Sequence, residues 1–210
     1  MTIVLYTYFN AKPSASVLTD RLNLLPSSMK DDIKKFHKWE DSLSSLYGKL
    51  LLQEGFIKFG NNATLNDLQY SPHNKPYLSD ESLSFNISHS GNFVVCAMSD
   101  EVDSIGVDVE KIKKVDINDF QQIWTEGEWD LLMKNDIHLF YEYWTRKEAV
   151  IKADGKGMTL ELDKIDVRNS IVELNDKLYF LKSLDIHANY VLHISSIKSF
   201  DKVDLIYVSF

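Results

Sequence analysis

Three short stretches of this chain carry ionisable side chains at spacings that suit metal and phosphate chemistry. In Ile105-Gly106-Val107-Asp108-Val109-Glu110, an extended backbone sends the aliphatic residues to one face and Gly106, Asp108 and Glu110 to the other. The Cα atoms of the two acids then stand about 6.5 to 7 Å apart, close enough for both carboxylates to share one hard cation such as Mg²⁺. An amphipathic strand with a wet polar face has the same pattern. In Trp144-Thr145-Arg146-Lys147-Glu148-Ala149-Val150-Ile151-Lys152, helical geometry gathers Trp144, Glu148, Ile151 and Lys152 into an arc of roughly 100°. Glu148 and Lys152 are also spaced as an ordinary i,i+4 surface pair. A face shared with Trp144 and Ile151 would desolvate both charges and so call for partners, for which a metal ion and a phosphate are suited. Ser88-His89-Ser90-Gly91 offers hydroxyls, an imidazole and backbone N–H groups to phosphate oxygens, and Asn74-Lys75-Pro76 adds a cation upstream. Such residues also fill turns that bind nothing.

Residues 2–9 read as an opening strand, and a helix starts after Ser14 or Ser16. Leu43, Leu46, Tyr47, Leu50, Leu51 and Ile57 fall at helical spacing behind a cap at Asp41 or Ser42, and Gly60 closes the segment. Apolar runs at 83–87 and 93–98 flank Ser88-His89-Ser90-Gly91-Asn92, a hairpin signature with the hydroxyls in the turn. A strand at 105–110 opens the second half. Helical patterns over 117–135 and 138–154 follow and stop at Gly155-Lys156-Gly157. Period-two segments then predict a hairpin at 171–181 around Asn175-Asp176 and strands at 190–197 and 203–210. Each half runs strand, helices, antiparallel strands. The expected architecture is α+β, two similar-sized α/β lobes, 1–103 and 104–210, paired as a pseudo-dimer with the site in the cleft between them.

The chain counts 23 Lys+Arg against 31 Asp+Glu, a net charge of −8, which excludes the basic footprint of a nucleic-acid binder. A phosphate-bearing ligand therefore needs a local cationic pocket or a metal ion. The one cysteine, Cys96, lies in an apolar run and reads as a small buried hydrophobe, consistent with a reducing compartment. No apolar stretch approaches the ~20 residues that span a bilayer, and no leader pattern opens the sequence. The expectation is a cytoplasmic protein that needs no membrane, and a monomer, since two lobes in one chain can form a cleft alone. Zinc spacings, P-loop and dinucleotide-binding fingerprints are absent.

Taken in order, Asn74-Lys75-Pro76, Phe85-Asn86-Ile87-Ser88-His89-Ser90, the Asp108/Glu110 strand and the Trp144–Lys152 segment resemble the motifs of the 4′-phosphopantetheinyl transferases, best their two-lobed, surfactin-synthetase-activating (Sfp-type) branch. The resemblance implies Mg²⁺-dependent transfer of the phosphopantetheine arm of coenzyme A onto a serine of an acyl or peptidyl carrier protein, releasing 3′,5′-ADP. It implies that Asp108, Glu110 and Glu148 hold Mg²⁺, and that Glu148, or a water it orients, takes the serine proton. Lys152 would pair with the pyrophosphate, Ser88 and His89 would grip phosphates, and Lys75 and Pro76 would flank the adenosine end. Glu128, in Trp124-Thr125-Glu126-Gly127-Glu128-Trp129, resembles a further acidic catalytic position. Where many members carry a basic residue and then a small hydroxyl residue, this chain has Ser44 and Ser45; Ser45 is then the coenzyme-facing hydroxyl, with Lys30, Lys34 or Lys35 supplying the missing cation. The carriers that the resemblance implies are acidic, so the expected docking edge is the segment with Lys152, Lys156, Met158 and Leu160. A catalytically silent carrier- or coenzyme-binding module of the same fold is the alternative.

Overall fold

A computed structural model describes residues 1–101, 104–134, 136–157 and 161–210. The first half begins with strand β1 (Thr2–Tyr8), helices α1 (Ala15–Asn23) and α2 (Ser27–Lys34), and the long helix α3 (Trp39–Lys58). The short strands β2 (Leu68–Tyr70) and β3 (Pro76–Leu78) form a two-stranded ribbon, followed by the hairpin β4 (Ser84–Ser90) and β5 (Phe93–Ser99). The second half contains β6 (Ile105–Lys111), a 3₁₀ segment (Ile117–Ile123), α4 (Glu126–Leu132), α5 (Ile137–Asp154), the hairpin β7 (Ile171–Leu174) and β8 (Lys177–Ser183), then β9 (Tyr190–Ser196) and β10 (Val203–Tyr207). Ser14 caps α1 as expected, while α3 starts earlier than Asp41 or Ser42 and takes no side-chain cap.

Two four-stranded sheets carry the same plan. In the first, β1-β5-β4 lie in that order under α3; in the second, β6-β9-β8 repeat it under α5. This is the expected α+β architecture of two like lobes. Each lobe has its own core: α3 residues such as Leu46, Leu50 and Phe56 meet Leu5, Cys96 and Met98 in one, and Phe140, Val150 and Ile151 of α5 meet Val172 and Tyr179 in the other. A third apolar cluster joins the two sheets, with Val4, Val95 and Ala97 against Ile105, Val107, Val109, Leu192 and Ile194. The expected alternation of β6 therefore holds, its aliphatic face buried between the lobes and its acidic face turned to α5.

The expected division near residue 103 falls beside Val102 and Asp103, which lie outside the described residues. The chain then crosses back: β10 pairs in parallel with β1, Thr2 opposite Val203 through Tyr6 opposite Tyr207, so a stretch from the second half completes the first sheet. The β4–β5 turn is also tighter than expected. Only Gly91 and Asn92 connect the strands, with Gly91 at φ 56°, and Ser88, His89 and Ser90 belong to β4.

Candidate active site

β6 and α5 form one wall of the site, and Gly106 sets their separation. A Cβ at Gly106 would stand 2.0 Å from the Ala149 carbonyl oxygen and 2.4 Å from the Ala153 nitrogen, so the helix backbone rests directly on the strand. At this distance the Lys152 ammonium reaches Asp108 Oδ1 at 2.6 Å and Ser88 Oγ at 3.1 Å. Ser88 donates to the same Oδ1 at 2.9 Å. The other oxygen, Oδ2, is buried without a hydrogen-bond partner among the described residues.

β4 forms the second wall. Asn86 Oδ1 accepts the Val107 N–H at 3.0 Å, Ser88 Oγ that of Val109 at 3.3 Å, and Ser90 Oγ that of Lys111 at 3.1 Å. The partners advance together along both strands, so β4 and β6 lie parallel, joined by side chains where a sheet would use backbone carbonyls. Ser90 also donates to Glu110 Oε2 at 2.6 Å. His89, Asp108, Glu110, Trp144, Glu148 and Lys152 line a cavity of about 310 Å³ between these walls. A neighbouring cavity of about 330 Å³ shares Glu148 and Lys152 and extends past Asn86 to Lys75, Pro76 and Gly155.

Burial dominates the electrostatics here. It pushes the Asp108, Glu110 and Glu148 carboxyls above the usual carboxylate range, against the opposing pull of the Lys152 charge. The His89 imidazole is held below its ordinary value by desolvation and by Lys152. Burial lowers Lys75 to about 8. Among the described residues no three donors are already gathered around a metal position. The residues nonetheless fit a hard divalent cation. They are oxygen donors only, Asp108 Oδ2 is buried and unpartnered, and desolvated acids gain most from an added positive charge.

The structure thus brings together Ser88, His89, Asp108, Glu110, Glu148 and Lys152, with Lys75 and Pro76 in the adjoining cavity. Three sequence expectations are placed elsewhere. Glu128 is completely buried and lines neither cavity. Its carboxylate accepts the Thr125 N–H, closing the capping box of α4, and the Val167 N–H, and pairs with Lys147 at 2.7 Å. The capping box holds the start of α4, and the other two contacts tie α4 to α5 and to the loop that carries Val167. Lys35 is exposed and paired with Asp32 at 2.7 Å, as Lys34 is with Asp31 at 3.2 Å. Ser45 accepts from Lys49 at 2.9 Å; neither Ser45 nor Lys35 lines either cavity. Met158 and Leu160 of the expected docking edge lie outside the described residues. What the sequence reading missed is the joining role of Asn86 and Ser90. Their signal was present: three polar side chains two residues apart on one strand face.

Two family profiles match the chain, the 4′-phosphopantetheinyl transferase N-terminal family over residues 10–101 and the 4′-phosphopantetheinyl transferase superfamily over residues 104–198. The Bacillus subtilis 4′-phosphopantetheinyl transferase ffp is 33% identical over 174 residues, covering 78% of this chain and 75% of that protein. The chain belongs to the 4′-phosphopantetheinyl transferase family. The family member Sfp of Bacillus subtilis strain 168 is 30% identical over 172 residues, 78% of this chain and 75% of that one. A further phosphopantetheinyl transferase from Bacillus subtilis is 30% identical over 202 residues, 90% of this chain and 89% of its own. Relatives of the Sfp type thus match most of the chain, including β6 and α5, which carry the acids and Lys152.

Proposed function

We propose that the chain transfers the 4′-phosphopantetheine group of coenzyme A to a serine hydroxyl of an acyl or peptidyl carrier protein. The observation that carries this reading is the convergence, in a chain of this family, of Asp108, Glu110, Glu148 and Lys152 on one cavity. In the reaction the serine oxygen forms a bond to the pantetheine-side phosphorus, the bond from that phosphorus to the bridging oxygen breaks, and 3′,5′-ADP leaves with the electron pair. Negative charge grows on phosphoryl oxygens, so cationic groups held at fixed positions lower the barrier. Asp108, Glu110 and Glu148 would hold Mg²⁺, which supplies Lewis-acid stabilisation of the pyrophosphate when bound.

The chain's own groups divide the remaining work. Lys152, now neutralised by Asp108, is the cation available to the pyrophosphate once Asp108 serves a metal. Glu148 takes no hydrogen bond or ion pair among the described residues, and its burial-raised pKa suits it, or a water it holds, to accept the serine proton. His89 lines the same cavity and can donate to a phosphate oxygen. Trp144 walls one side of the cavity.

The test is mass spectrometry of apo carriers incubated with the protein, coenzyme A and Mg²⁺. A gain of one phosphopantetheine per carrier, abolished by EDTA and by Asp108→Ala, is the expected result. An unchanged carrier across a panel of fatty-acid, polyketide and peptide carriers would sink the reading. Transfer undiminished in EDTA would remove the metal from it.

A further inference from the structure

The Lys75 ammonium has three N–H donors, and three carbonyl oxygens of the other lobe stand around it. Lys152 O lies at 2.6 Å, Ala153 O at 3.3 Å and Ile105 O at 3.3 Å. The first two belong to the last turn of α5, where carbonyls have no intrahelical partner, and the third belongs to the first residue of β6. Asp154, an acid at the end of α5, opposes the helix dipole, and a cation beside it offsets both. The loop before β3 is shaped to deliver this cation. Ser71 O accepts the Asn74 N–H at 2.9 Å, Ser71 Oγ accepts the Lys75 N–H at 3.1 Å, and Asn74 takes the left-handed φ of 61°. Gly155, at φ 82°, lies against the lysine stem: a Cβ there would come 3.4 Å from Lys75 Cδ.

We propose that the Lys75 ammonium is a positioning group, the first lobe's clamp on the C-terminal turn of α5, which holds Lys152 and Glu148 in register with Asp108, and not a charge that binds the coenzyme. This rests on the transferase reading above. With its three donors engaged by carbonyls, the ammonium has none left for a phosphate or a base. Release of the clamp lets the end of α5 shift, moving Lys152 and Glu148 while the β4 wall and the β6 acids remain.

The experiment compares wild type with Lys75→Met, Lys75→Gln and Lys75→Cys. It measures carrier turnover, and separately coenzyme A affinity by calorimetry without carrier. In Lys75→Met, kcat should fall about tenfold to a hundredfold while the coenzyme A dissociation constant changes less than about threefold. Alkylating the Lys75→Cys variant with 2-bromoethylamine rebuilds an ammonium of the same reach and should restore most of kcat and the lost melting temperature. Cys96 is buried and its thiol is pushed up to about 12, so it escapes the reagent. A dissociation constant weakened about tenfold at unchanged kcat, or a wild-type kcat in Lys75→Met, overturns the clamp. Should Lys75→Met not fold, Lys75→Gln, neutral but with two N–H donors, supports the same comparison. A wild-type chain that modifies no carrier counts against the transferase reading alone, since melting and its rescue by aminoethylation report the clamp without turnover.

Discussion

His193 shows how burial at a single residue ties stability to pH. It sits on β9 opposite Asp108, with Nδ1 2.8 Å from Thr145 Oγ1 and Nε2 facing Arg146 Nε at 3.4 Å. Thr145 donates its one proton to the α5 backbone, so Nδ1–H is the donor to Oγ1 and Nε2 accepts from Arg146. Burial and the Arg146 charge lower His193 to about 3 from 6.5. A depressed base favours the fold when deprotonated; as pH falls below 6.5 the unfolded chain binds a proton that the native one refuses, and stability drops until about 3. His193→Gln removes that proton uptake. Between about pH 6.5 and 5 the wild type should lose about 2 kcal/mol more than the variant in urea titrations. Parallel curves would show that His193 is solvated in the fold. The three site acids are shifted the opposite way, but they are common to both proteins and cancel in the difference. Glu128 is the residue-scale case that sequence could not settle. A family-like acidic position and a capping box look alike in the string Thr125-Glu126-Gly127-Glu128, and the partners Lys147 and Val167 come from segments that this string does not contain.

At the scale of elements, the seat of α5 on β6 decides the site. Replacing Gly106 by alanine places a methyl group within 2.0 Å and 2.4 Å of backbone atoms of α5. Backbone cannot rotate aside as a side chain can, so the helix must lift from the strand. The expected cost is about 1–3 kcal/mol of stability, with turnover lost more steeply because Lys152 and Glu148 move away from Asp108. Melting and kcat measured on the same sample check this; normal turnover at reduced stability would mean that the helix seat does not set the chemistry. The β6 alternation and the α5 face were legible because both depend on period alone. Strand β4 was not. Ser88, His89 and Ser90 looked like a turn because hydroxyls and Gly91 favour one locally. Their backbone pairs with β5 across the two-residue turn, and the hydroxyls of Ser88 and Ser90 accept from N–H groups of β6 about twenty residues away, a partner that no local pattern contains.

For the whole molecule, two similar lobes with separate cores suggest separate unfolding, yet three features tie them together. The inter-sheet cluster buries Val107, Val109 and Ile194 against Val4 and Val95. The Asn86, Ser88 and Ser90 seam satisfies the free edge of β6. The β10 crossing places Ile206, Val208 and Phe210 in the first lobe's core, with Phe210 stacked on Tyr47 at 5.3 Å. None of these joins was visible as a repeat in the sequence, because each depends on where the two halves meet. Cutting one tie should therefore weaken both lobes. Asn86→Ala strands the buried Val107 N–H, at a cost of about 1–3 kcal/mol. The tryptophans report each side: Trp39 packs on the first core, while Trp124, Trp129 and Trp144 belong to the second. Urea unfolding of the wild type and of Trp39→Phe, followed by tryptophan emission and by far-ultraviolet circular dichroism, should give coincident single transitions. Asn86→Ala should move every probe to lower urea together. A Trp39 transition that separates from the others would mean that the lobes are independent folding units and that β10 and the seam only dock them.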